Sequence, residues 1–323
     1  MARIMITGAS GLLGRAVVKH LAQHTEHQII ACGYSRAVAG GYQLDLTQAD
    51  MVAEFVEQHK PDVIVHCAAE RRPDISEQDP QAALALNAGA TRSLALAASE
   101  HRAWLLYIST DYVFDGKAPQ YTEVAQTNPV NFYGESKLQG EQIVLGIDSS
   151  FAVLRLPILY GDVEFLEESA VTVLLKHLSP ATTVETNSLK RRAEHIDNWA
   201  IRSPTSTDDI ASAITKMLGL HLMSQKALTG RYHFSAGQTM TKYQMLLQMA
   251  EILNVSHSHL IAVTSATDSA KRPKDCTLSC ERLASLGIKS EVPFSLGMLN
   301  VLQHMPPALL DGLSRQALQE PKR

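Results

Sequence analysis

The residues that decide the fold are RIMITGASGLLGRAV, positions 3–17. Residues 3–7 form a short apolar run that reads as a buried strand, and the segment from Leu12 to about residue 23 reads as an amphipathic helix. Between them Gly8, Gly11 and Gly14 recur every three residues. Without side chains the chain turns tightly and approaches a pyrophosphate, which the free N–H groups and positive dipole end of the following helix then meet. A glycine triplet alone is weak; its place between a strand and a helix gives it meaning.

The alternation continues outward from this stretch. HQIIACG (27–33), DVIVHCA (62–68), WLLYIS (104–109) and FAVLRL (151–156) are strand candidates, and residues 47–59, 80–100 and 131–146 are helical. The pattern predicts an α/β, Rossmann-type doubly wound parallel sheet, with ligands beyond the carboxyl ends of its strands. We divide the chain into an NADP-binding domain, 1–156, and a smaller C-terminal substrate-binding lobe, 157–323. In the second half TDDIASAITKML reads as an Asp-capped helix, RYHFS (231–235) as a strand returning to the sheet, and the tail as a helix broken at Pro306 and Pro307.

Composition narrows the function. Lys and Arg number 29 against 33 Asp and Glu, giving −4 without blocks of like charge, which argues against nucleic acid and polybasic membrane contacts. The start lacks a signal-peptide layout and no apolar run reaches the ~18 residues of a membrane span, so a cytoplasmic protein is expected. Cys32, Cys67, Cys276 and Cys280 are too few and scattered for a disulfide framework and read as thiols. His20, His24 and His27, the pair His257 and His259, and the pair Cys276 and Cys280 lack the further ligands a closed site needs, and no metal is expected.

The second strand ends in CGYSRA, where an NAD site places a carboxylate against the ribose. Here Ser35 and Arg36 offer a hydroxyl and a planar cation suited to a 2′-phosphate, favouring NADP(H), although Arg36 also fits a solvated loop. Asp45, beside Leu46, suits either the adenine amine or a helix cap. The fourth strand ends at Thr110 in YISTDYVFDG (107–116), and NFYGESK (131–137) places Tyr133 and Lys137 four apart on one helix face. A lysine cation lowers a tyrosine pKa from about 10, so Tyr133 becomes the proton donor, Lys137 its support and Thr110 the group that orients a carbonyl.

TGASGLLG, the CAA of Cys67, Ala68 and Ala69, Asn87 opening NAGAT, STDYVFDG and YGESK resemble the extended short-chain dehydrogenase/reductase superfamily. Within it, YISTDYVFDG with NPVNFYGESKLQGE resembles the dTDP-4-dehydrorhamnose reductases, which reduce a 4-keto sugar nucleotide with NADPH. That resemblance implies catalytic roles for Thr110, Tyr133 and Lys137, a sugar-bordering role for Asp111 and Tyr112, and a structural or cofactor-side role for Asn87. It implies cofactor contacts from Gly8, Ser10, Gly11, Leu12, Leu13, Gly14, Ser35, Arg36, Asp45, Leu46, Cys67–Ala69, Leu156 and Pro157. HCAAERRPD (66–74), LRLPILYGDVEFLEESAVTVL, DNWAIRSPT (197–205), GRYHFSAGQTMTKYQM (230–245) and RPKDCTLSCERLASLGI (272–288) are similar to a sister family, the regulatory β subunits of methionine adenosyltransferase. Those keep the NADP site as non-catalytic partners of a synthetase, engaged through a C-terminal tail that this chain does not match.

Glu70, Arg71 and Arg72 stand where the reductases carry a small residue and a carboxylate. The arginines suit an anionic substrate group or partner, or a salt-bridged turn before Pro73. Arg202 is a substrate candidate after the lid, Arg272 and Pro273 end a loop over the substrate, and Lys190–Arg192 suit either nucleotide-sugar phosphates or a solvated loop. A carbonyl reductase is the first expectation and a regulatory subunit the second. The expected partners are accordingly a small molecule such as a nucleotide sugar, a methionine adenosyltransferase catalytic subunit, or a second copy in a homodimer.

Overall fold

The structure is a computed structural model describing residues 1–36, 38–178, 193–223, 228–266 and 271–310. The chain runs through β1 (Arg3–Thr7), α1 (Leu12–His24), β2 (Gln28–Gly33), β3 (Tyr42–Gln43), α2 (Ala49–His59) and β4 (Val63–His66). It continues through α3 (Pro73–Gln78), α4 (Pro80–Leu84), α5 (Thr91–Glu100), β5 (Trp104–Thr110), α6 (Phe132–Ile147) and β6 (Ala152–Leu156). The second half adds β7 (Leu159–Tyr160), β8 (Glu194–Asp197), β9 (Thr205–Ser206), α7 (Thr207–Met223) and β10 (Gly230–His233). It then contributes α8 (Lys242–Leu253), β11 (Leu260–Val263), α9 (Glu281–Ala284) and α10 (Phe294–His304).

Seven strands form one sheet in the order β10-β6-β5-β4-β1-β2-β3, every pairing parallel. Every residue of β4, β5 and β6 is buried, as expected where helices cover both faces of a parallel sheet. Helix α1 buries Leu13, Ala16, Val17 and Leu21, and α7 of the second half packs against it. One hydrophobic cluster therefore joins the sheet, α1, α2, α5 and α7, while a second gathers Tyr160, Leu174, Met245, Met249, Leu260 and Met298 in the lobe.

The expected strands and helices of the first half are present, and β10 returns to the sheet as RYHFS implied. Unforeseen were the exposed two-residue β3 and the short parallel pairs β7–β9 and β8–β11, which are too brief to leave a period. The helix expected over 80–100 is α4 and α5 joined by a π-helical turn, Ala85–Ala90, centred on Asn87. At α7 the Asp cap is replaced: Ser206 Oγ accepts the Asp208 N–H at 3.3 Å, and Asp209 turns to Ser290 Oγ at 2.5 Å. The tail continues past α10 into a 3-10 turn, Pro307–Leu310, and residues 311–323 lie outside those described.

Two buried polar networks position the strand ends. Glu141 of α6 accepts from Arg155 of β6 through Nε at 2.8 Å and Nη2 at 2.6 Å, from Ser109 Oγ of β5 at 2.6 Å, and from Arg231 Nε of β10 at 3.1 Å. Arg155 Nη1 also meets His233 Nε2 at 3.2 Å, so three strands and one helix share a single carboxylate. Beneath the glycine turn, Thr91 Oγ1 donates to Asn87 O at 2.9 Å and is 3.0 Å from His66 Nε2, while Thr7 Oγ1 is 2.7 Å from His66 Nδ1. Because the Thr91 proton is committed to Asn87, Nε2 carries the ring proton and Nδ1 accepts from Thr7.

His66 is thus held neutral, and burial, with Lys137 nearby, pushes its pKa down to about 3. Between the ordinary value of 6.5 and about 3, the unfolded chain takes up a proton that the folded chain refuses, so stability falls as pH falls through this window. From pH 7.5 to 5 the loss attributable to His66 is about 2 kcal/mol, and His66→Gln is expected to remove that part when urea denaturation is compared at the two pH values. An unaltered slope would contradict the assignment.

Candidate active site

Gly8 has φ +65, and a Cβ placed on Gly14 would lie 2.1 Å from Gly8 O, so the turn into α1 closes only around glycine. Gly11 precedes α1 with an extended backbone and no side-chain cap, leaving the N–H groups of the first turn, which begins with Leu12, Leu13 and Gly14, without a side-chain acceptor. Ser10 lies on the same turn, its carbonyl accepting from Arg15 Nη1 at 2.7 Å. Beside it, past the end of β4, the Cys67 and Ala68 N–H groups bond to Thr7 O at 3.3 Å and Thr7 Oγ1 at 3.4 Å, placing Cys67–Ala69 against the turn. Burial pushes the Cys67 thiol up to about 12, which makes it a wall and not a nucleophile. The closed turn and its uncapped helix fit a pyrophosphate.

At the end of β2, Ser35 is exposed and Arg36 pairs with Glu164 at 2.6 Å and with Glu168, its guanidinium 5.6 Å from the centre of the Phe165 ring. Asp45 accepts from Thr47 N–H at 2.9 Å and Thr47 Oγ1 at 2.7 Å, so its carboxylate closes the turn before α2, with Leu46 buried beside it. Leu156 ends β6 in register with Thr110, which brings Leu156 and Pro157 to the same sheet edge as the catalytic candidates.

Thr110 closes β5 at 5% exposure; its hydroxyl donates to Asp111 Oδ1 and accepts from Tyr112 N–H, both at 3.2 Å. Asn131 caps α6 by accepting the Gly134 N–H at 2.9 Å. A Cβ on Gly134 would lie 2.2 Å from Tyr112 O, so the glycine of YGESK lets the first turn of α6 press onto the strand end. This seats Tyr133 beside Tyr112, ring centres 6.0 Å apart. Lys137, one turn on and 2% exposed, donates to Ile108 O at 2.7 Å and lies 4.1 Å from the Tyr107 ring centre.

The electrostatics differ from the sequence expectation. Burial holds the Tyr133 phenol above its usual range, with Asp111 and Tyr112 adding to the rise and Thr110 and Arg71 opposing it. Burial pushes Lys137's own pKa down to about 7, partly countered by Glu141, and its Nζ donates to a backbone carbonyl. Burial likewise raises Asp111 to about 7 against the pull of Arg202. At neutral pH Tyr133 is therefore a protonated phenol, which suits a proton donor better than a base.

Glu70 is tied to its neighbour, accepting from Arg72 N–H at 2.9 Å, Nε at 2.8 Å and Nη2 at 2.6 Å. Arg72 therefore forms the salt-bridged turn, while Arg71 reaches across to Glu167 O at 3.2 Å and its charge is felt at Tyr133. Asn87 clamps the backbone of Glu70, accepting its N–H and donating to its carbonyl at 2.9 Å each. Arg202, 5% exposed, donates to Ile201 O at 2.7 Å, and its guanidinium is 5.5 Å from the Tyr112 ring centre, facing Asp111. Arg272 pairs with Asp74 at 2.8 Å. Lys190, Arg191 and Arg192 lie outside the described residues. Glu141 was overlooked although it continues the Tyr133, Lys137 series by four; Arg15 and Glu168, 153 positions apart, left no local signal.

The sequence model of the RmlD substrate binding domain matches residues 2–306. The chain is 42% identical over 317 residues to methionine adenosyltransferase 2 subunit beta of Rattus norvegicus, covering 98% of this chain and 91% of that protein. It is 28% identical over 291 residues to dTDP-4-dehydrorhamnose reductase of Aggregatibacter actinomycetemcomitans, covering 88% of this chain and 92% of the other. Among solved structures, dTDP-4-dehydrorhamnose reductase of Bacillus anthracis in complex with NADP superposes with a TM-score of 0.77 at 27% identity, over 93% of this chain and 97% of that one. A Rossmann-type parallel sheet with a glycine turn, a Thr-Tyr-Lys set at its carboxyl edge and a match across nearly the whole length place this chain in the RmlD substrate-binding-domain family.

Proposed function

We propose that this protein binds NADP(H) and reduces a carbonyl group on a nucleotide sugar, a 4-keto sugar being the substrate class. The observation that carries the reading is the convergence of Thr110, at the end of β5, with Tyr133 and Lys137, one turn apart on α6, Tyr133 lying against the Tyr112 that follows the strand end. The glycine turn and α1 N-terminus would hold the pyrophosphate, Arg36 with Ser35 the 2′-phosphate, and Lys137 the nicotinamide ribose. When bound, the cofactor supplies hydride. Tyr133 delivers the proton to the substrate oxygen, Thr110 orients that oxygen, and Asp111, Tyr112, Arg71 and Arg202 border the sugar and its charge. Four free thiols accord with a cytoplasmic setting.

In NADPH oxidation assays with a 4-keto-6-deoxy sugar nucleotide, Tyr133→Phe is expected to lower kcat by about 10²-fold or more while leaving NADPH affinity unchanged. Equal rates for the two proteins would remove Tyr133 from the chemistry.

A second reading is favoured by the 42% identity to a methionine adenosyltransferase subunit across 317 residues. Under it the cleft binds NADP(H) as a structural ligand and the protein modulates a synthetase. This reading expects a complex with a methionine adenosyltransferase catalytic subunit at micromolar concentration in size-exclusion chromatography, preserved in Tyr133→Phe. Separate elution of the two proteins would count against it.

A further inference from the structure

The segment Asp162–Glu168, DVEFLEE, carries four carboxylates in seven residues, two of which, Glu164 and Glu168, meet at Arg36. Each anchor holds a different part of the proposed cofactor groove. The Asp162 carbonyl accepts from Arg15 at 3.1 Å and its carboxylate from Lys19 at 3.2 Å, both on the helix behind the glycine turn. Glu168, 2% exposed, takes Arg15 through both its oxygens at 3.0 and 2.6 Å and also takes Arg36. Glu164 Oε2 takes the same Arg36 nitrogen at 2.6 Å. At the far end the Glu167 carbonyl accepts from Arg71 at 3.2 Å.

The two carboxylates are not equivalent. Glu168 is buried, bidentate to Arg15 and held also by the Glu164 N–H at 2.8 Å, so it is a fixed counter-ion. Glu164 has a 54% exposed side chain and a single close partner, Arg36, with Arg15 farther off at 3.7 Å. Two arginines and two carboxylates cancel. A 2′-phosphate adds close to two further negative charges beside them, which the site accommodates only if one carboxylate leaves.

Resting on the NADP(H) reading above, we propose that Asp162–Glu168 is an ion-pair latch over the cleft, and that an incoming 2′-phosphate takes the place of Glu164 on Arg36. Glu168 stays and keeps the guanidinium aimed. The latch makes binding of the phosphorylated dinucleotide an exchange of anions.

Titration of wild type and Glu164→Gln with NADPH and with NADH, followed by calorimetry, tests this. Because Glu164 is exposed, the variant removes its charge without opening the core. NADPH is expected to bind Glu164→Gln about two- to fivefold more tightly, as an exposed ion pair allows, with NADH unchanged. NADPH binding that is equal or weaker in the variant, or equal tightening of both dinucleotides, overturns the exchange while leaving the cofactor reading intact. A wild type that binds neither dinucleotide overturns the cofactor reading and the latch together.

Discussion

One buried carboxylate holds the site in register. Glu141 lies two turns along α6 from Tyr133, fully buried, and binds Arg155 of β6, Ser109 of β5 and Arg231 of β10. Arg155 is 1% exposed, so neither charge is hydrated and each depends on the other. Removing one member of such a pair costs about 3–5 kcal/mol, because the survivor is left buried and unpaired. The pair does more than stabilise. It fixes the rotation and height of α6 against the strand ends, and with them the phenol of Tyr133 beside Thr110. Its negative charge also partly offsets the desolvation of Lys137, one turn away.

That dependence explains an electrostatic character unlike the one inferred from spacing. Tyr133 and Lys137 do share a helix face, but the lysine is drawn down to the Ile108 carbonyl and lies over the Tyr107 ring. Its charge is spent on the backbone of β5, and the phenol above remains protonated. Arg71 is turned to the Glu167 carbonyl, and its charge opposes the rise of the Tyr133 phenol, which burial dominates. At Glu70–Arg72 the two arginines part: Arg72 closes a turn on Glu70, and Arg71 reaches the Glu167 carbonyl.

Much of this was legible beforehand because it is local. RIMITGASGLLGRAV carries the strand, turn and helix within fifteen positions, and the buried strands β4, β5 and β6 announce themselves by short, mostly apolar runs. Asn131 and Gly134 sit inside the same motif as the tyrosine they place. What escaped is set by contacts between distant residues. Arg36, read from sequence as a 2′-phosphate ligand over a loop cation, gives no hint of its partners Glu164 and Glu168. The π-helical turn at Asn87 has no sequence period of its own, yet it puts the amide where it grips Glu70.

Transfer of deuterium from C4-deuterated NADPH to a 4-keto-6-deoxy sugar nucleotide tests the catalytic claim most directly. Wild-type protein is expected to yield product labelled at the reduced carbon within a single turnover, and Tyr133→Phe to yield little in the same time. Unlabelled, unreacted sugar in the presence of bound NADPH would contradict catalysis and leave the cleft as a binding site alone.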